Sequence, residues 1–154
     1  MVVKILIPYN FKPNDEKAVH YTGRRYSKEK EVEITLFHAF ASVPEINVKN
    51  NTIMEKMKLN LYYLHQQREE RRQALEKVRL VLVDYGFASQ NIHCLLRPIK
   101  TNIAADIIQL WKLENFHVVV LNRNPGNILN YFSRSISKRL TQCSDGVINV
   151  HIVN

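Results

Sequence analysis

Short apolar runs rich in β-branched residues recur along this chain, and longer segments whose apolar residues return every three or four positions fall between them. A buried-strand pattern alternating with a helical one restricts the fold to α/β: a parallel sheet, covered by helices on both faces and built from right-handed crossovers. The first run, 2–8, is closed by Pro8 and reads as a strand. Asn14 or Asp15 then stands where a helix cap is needed, before a helix whose inner face carries Ala18, Val19, Thr22 and Tyr26. The run 31–40 is the second strand.

A polar, proline-broken stretch leads to a segment spanning about 52–84, with helical spacing at Ile53, Met57, Leu61, Leu64, Leu75, Val78 and Leu82. Gly86 supplies a helix stop. Residues 92–96 form a third strand. Thr101 or Asn102 caps a third helix with Ile103, Ile107, Leu110 and Trp111 on one face. Residues 117–122 are a fourth strand, the loop RNPGN precedes a helix through Phe132, Ile136 and Leu140, and 147–153 closes the sheet. No repeat or low-complexity segment interrupts this rhythm, so residues 1–154 are expected to form a single domain. In such a sheet a ligand binds outside the carboxyl ends of the strands, where strand order reverses. The expected site is therefore built from 8–11, 40–43 and 122–127.

Composition narrows the function. No apolar run approaches the roughly 20 residues of a membrane-spanning helix, and the N-terminal MVVKILIPYN, with Lys4 inside it, reads as a strand and not as a signal peptide. Cys94 and Cys143 are the only cysteines, too few for a disulfide framework and not spaced as a metal or redox pair, which points to a reducing, cytoplasmic setting. Lysine and arginine total 22 against 14 acidic residues, a net charge of +8, so the surface attracts anions. The densest basic group, Arg68 to Arg72 in QQREERR, includes two glutamates and reads as a solvated helix face. No recognition motif accompanies the charge, and nucleic acid is not the expected partner.

Three sets of residues, KILIPYNFKPNDEKAVHYT with EITLFHAF, TNIAADIIQLWKLENFHVVVLNRN, and SRSISKRL with VINVHIV, together resemble the universal stress protein family over nearly the whole chain. The resemblance implies a Rossmann-like five-stranded sheet of order 3-2-1-4-5, usually in a homodimer joined through the last strands. Here those strand residues are Val147, Ile148, Asn149, Val150, His151, Ile152 and Val153. It also implies a candidate adenine-nucleotide site, for ATP or AMP, at Pro8, Asn10, Ala39, Asn122, Asn124, Gly126, Arg134 and Ser135. The ATP-binding branch carries G-x-x-G, nine residues, then G-[ST], because glycines let backbone N–H groups approach phosphates at a helix N-terminus.

This chain departs from that pattern. Anchored on Ser135, the last glycine is Arg134 and the preceding one Asn124; the first falls on Leu121, or on Asn122 if one residue is deleted. The acidic residue expected near the end of strand one is Asn10. Arg134 fills volume that a phosphate needs, yet offers a five-donor fork suited to phosphate, and asparagines tolerate left-handed turns. Two readings stay open: a regulatory or interaction module, dimeric and without ATP, or a nucleotide-binding stress-response protein using a variant 122–135 loop.

Catalysis and metal binding find no support in spacing. The six histidines form no HxxxH or HExxH pattern, His93 and Cys94 point to opposite faces of a strand, and no convincing catalytic carboxylate pair and no GxSxG element is found. Ser133, Ser135 and Ser137 read first as helix caps and Trp111 as core. The stripe of Met54, Met57, Leu61 and Leu64 is expected to pack on the sheet, with an extended dimer contact as the other reading.

Overall fold

The computed structural model describes residues 2–13, 15–41, 51–122 and 149–153. Five strands, β1 (Val3–Pro8), β2 (Val32–Phe40), β3 (Ile92–Pro98), β4 (Val118–Asn122) and β5 (Asn149–Val153), form one sheet of order β3-β2-β1-β4-β5. Every pairing is parallel. The fold class and strand order match the expectation. The helix expected through Phe132, Ile136 and Leu140, and positions 147 and 148 of the last strand, lie outside the described residues.

Alternation along the strands sorts the core into two layers. Ile5, Ile7, Ile34, Leu36, Val118 and Val120 point to one face, where α1 (Asp15–Tyr26) and α2 (Asn51–Asp84) contribute Ala18, Val19, Tyr26, Leu75 and Leu82. Leu6, Phe37, Ala39, Val119 and Leu121 point to the other, against Ile107, Ile108 and Leu110 of α3 (Ile103–Glu114). All four residues expected on the inner face of α1 are buried. Trp111 packs at the edge of the second layer and donates its indole N–H to the Phe116 carbonyl at 3.1 Å, a core role.

The helix ends follow their capping residues. The Asn102 side chain accepts from the Ala105 amide at 2.8 Å, and Asn115, at φ 55°, closes the other end of α3. Past α2, Gly86 at φ 110° lets its own amide reach the Val83 carbonyl and the Phe87 amide reach Leu82. That paired closure, with Phe87 and Leu82 in the same core layer, is a Schellman motif. Another glycine acts through packing: a Cβ at Gly23 would lie 2.4 Å from the Tyr85 ring, so that ring, just past the end of α2, lies against α1 only because position 23 has no side chain.

Only the second half of α2 packs as its stripe predicts. Leu75 and Leu82 are fully buried, whereas Ile53, Met54, Leu61 and Leu64 remain 37–45% exposed, and Leu59, Tyr62 and Tyr63 more so. The expectation that the first half lies on the sheet is therefore corrected. Length is the reason: 34 helical residues span about 50 Å, while the longest strand, of nine residues, spans about 30 Å. Arg68 stands over Phe40, the last residue of β2. Everything before it, 51–67, runs beyond the carboxyl edge of the sheet.

Candidate functional site at the strand ends

Strand order reverses between β1 and β4, which places the crevice at their carboxyl ends. Pro8 ends β1 opposite Phe37, and Asn122 ends β4 opposite Val153. Ala39 is 6% exposed and belongs to the α3-side core, so toward a ligand it offers main chain only. Asn124, Gly126, Arg134 and Ser135 lie outside the described residues.

The turn after β1 is folded by an acid from the following helix. Asp15, first residue of α1, accepts the amides of Asn10 at 2.8 Å and Lys12 at 3.1 Å through one carboxylate oxygen, while its own amide donates to the Lys12 carbonyl. A carboxylate at a helix N-terminus also gains from the helix dipole. Asp15, foreseen as a helix cap, is the first helical residue and binds amides of the preceding turn; the other capping candidate, Asn14, lies outside the described residues. The turn is tight enough to force Phe11 to φ 59°, a left-handed conformation costing about 1–2 kcal/mol for a residue with a side chain. What it achieves is an inward ring: Phe11 meets Tyr9 and His38 edge-on, at 5.0 and 4.9 Å between centroids.

His38 links this turn to α2. Its Nδ1–H donates to the Tyr9 carbonyl at 2.8 Å, leaving Nε2 to accept from the Arg71 guanidinium at 3.3 Å. That pair of bonds requires the neutral imidazole with the proton on Nδ1. Burial is the main force holding its pKa below the ordinary histidine value; the Tyr9 carbonyl opposes it, and the Arg71 charge reinforces it. Burial likewise pushes the Tyr9 phenol up, with Glu16 and Asp15 adding to the effect. One helical turn away, the Arg68 guanidinium lies 4.2 Å from the centre of the Phe40 ring, and its Nε, shut off from solvent, has no acceptor among the described residues.

Glu69, Glu70, Arg71 and Arg72 are exposed, as the reading of QQREERR as a solvated face expects, while the half-buried Arg68 and the Arg71 guanidinium reach toward the strand ends. Sequence reasoning missed them, together with Tyr9, Phe11 and His38 as a unit. An i, i+3 pair of arginines on a helix antiparallel to a neighbouring strand was the available signal, but its meaning depends on which residue of β2 it meets.

Elsewhere, burial is the first of the effects that push the Cys94 thiol up to about 11. It stays protonated at neutral pH and is no nucleophile; His93 beside it is exposed. Among the described residues no three His, Cys, Asp or Glu side chains gather closely enough to hold a metal ion, and no helix is long and apolar enough to cross a membrane. At the sheet edge, His151 of β5 is held between the hydroxyls of Tyr21 (3.2 Å) and Tyr26 (3.1 Å) of α1.

No model of a known protein family matches the chain, and no curated protein sequence does. Solved structures match it closely in shape. The universal stress protein from Archaeoglobus fulgidus in complex with dAMP aligns with 100% of this chain and 98% of its own, at TM-score 0.65 and 8% identity. A universal stress protein from Lactobacillus plantarum aligns over 99% and 97%, at TM-score 0.64 and 10% identity. A universal stress protein family protein from Arabidopsis thaliana with AMP bound aligns over 99% and 92%, at TM-score 0.51 and 14% identity. At such identities the likeness is one of fold, and this chain has the fold of a universal stress protein-like domain.

Proposed function

We propose that this universal stress protein-like domain, a single domain over residues 1–154, is a regulatory or interaction module that works as a homodimer in the cytoplasm, without catalysis and without ATP in the 122–135 loop. The position of β5 at the end of the sheet carries the reading. An edge strand leaves a row of main-chain donors and acceptors ready to pair with another copy, and α1 fixes β5 through His151. Val147, Ile148, Asn149, Val150, His151, Ile152 and Val153 would form the contact. The sequence departures at Asn10, Asn124 and Arg134 support the loss of ATP.

Val150→Pro removes a ladder donor, and light scattering should then give the monomer mass while the native chain gives the dimer mass. An unchanged dimer would sink the β5 contact. In calorimetric titration of ATP, Ser135→Ala should leave the response of the native chain unchanged, because the 122–135 loop takes no part.

A second reading keeps an adenine nucleotide at Pro8, Asn10, Ala39, Asn122, Asn124, Gly126, Arg134 and Ser135. Its support is that two of the structural neighbours hold dAMP and AMP. Micromolar ATP binding that weakens in Ser135→Ala would favour this reading over the first, and binding gained only in Arg134→Gly would locate the loss at that side chain.

A further inference from the structure

We propose that Arg68 and Arg71 of α2 form an anion site over the carboxyl ends of β1 and β2 that takes the phosphate group of a small phosphorylated molecule, independently of the 122–135 loop. Their i, i+3 spacing puts both on one helix face. Each guanidinium is positioned by a contact that leaves most of its donors free: Arg68 rests on the Phe40 ring, and Arg71 spends one N–H on His38. A guanidinium has five donors in a planar fork matched to phosphate oxygens.

Among the described residues neither arginine pairs with a carboxylate; Glu69, between them, leans on Arg72 at 3.9 Å. The Asp15 carboxylate beneath is engaged by the Asn10 and Lys12 amides. Among the same residues Arg68 Nε lacks an acceptor, a state that costs stability until an oxygen is supplied. The rings of Phe40, His38 and Phe11 give the spot apolar walls that strengthen the field of the two cations. Neutral His38 adds no competing proton chemistry and acts as a bracket for Arg71.

The test is calorimetric titration of AMP and, separately, of inorganic phosphate into the full chain at low salt. It uses the native protein, Arg68→Gln/Arg71→Gln, Arg68→Lys/Arg71→Lys and Arg134→Gly. The native chain should bind AMP saturably, the glutamine pair at least about tenfold more weakly, the lysine pair in between because charge survives without the fork, and Arg134→Gly as the native. Equal affinity for phosphate and AMP would assign the energy to the phosphate group; tighter AMP would add the aromatic wall, and both outcomes support the site. The His38 Nε2 resonance should shift on ligand addition, a readout that a purely structural role of Arg71 would not move. Absence of saturable binding to the native chain, or affinity undiminished in both double variants, would overturn the proposal. Light scattering of the same variants should still give the dimer mass, so that failure here and failure of the β5 contact are told apart.

Discussion

A neutral imidazole with both nitrogens spoken for makes His38 the residue through which acidity reaches the fold. Its folded pKa lies below the unfolded value of about 6.5, chiefly from burial, and the sign of the linkage follows. Above about pH 6.5 both states are neutral and the contribution is fully present. Below it the unfolded chain takes up a proton before the folded one, and stability falls with pH until the folded pKa is reached. His151, shifted the same way by burial and by Arg25, adds to the effect. Urea unfolding of the native chain at pH 7.5 and 5.5 should therefore show a larger acid loss than His38→Asn, which has no proton to gain. Equal losses would mean that burial of His38 is not the cause. Protonation would also give Nε2 a hydrogen facing the Arg71 guanidinium, so the bracket under the proposed anion site should open over the same interval.

Elements differ in how plainly their roles are written. The strands were legible because β-branched runs fix their own conformation, and the ends of α2 and α3 were legible because Gly86 and Asn102 act on neighbours within a few residues. The first half of α2 misled, since its 3–4 spacing is the same whether or not a surface waits beneath it; the sheet is simply too short. Within the site, Pro8, Asn10, Ala39 and Asn122 were placed by strand order, but the bond between Arg71 and His38 spans 33 positions, and local pattern carries no trace of it. The division within α2 has a measurable consequence. Leu75→Ala should lower stability by about 2–5 kcal/mol through the cavity it opens, whereas Leu61→Ala, 39% exposed in the native chain, should stay within about 0.5 kcal/mol. Both are read by urea unfolding, and comparable losses would mean that the overhang is packed after all.

At the scale of the whole molecule, two proposed contacts respond to the same charge in opposite directions. Each copy carries a net +8, so pairing two copies along β5 brings like charges together, while main-chain hydrogen bonds between edge strands owe little to ionic strength. Going from about 0.01 M to about 0.1 M salt shortens the screening length from about 30 Å to about 10 Å. The repulsion between copies should fade and the dimer tighten by several-fold. An anion at Arg68 and Arg71 gains from the same positive field and should bind several-fold more weakly over that range. Sedimentation and calorimetry in one salt series read both slopes. A dimer that loosens as salt rises would mean that ion pairs hold it, which the β5 edge does not provide; a phosphate affinity indifferent to salt would mean that the two guanidiniums are not what the ligand meets.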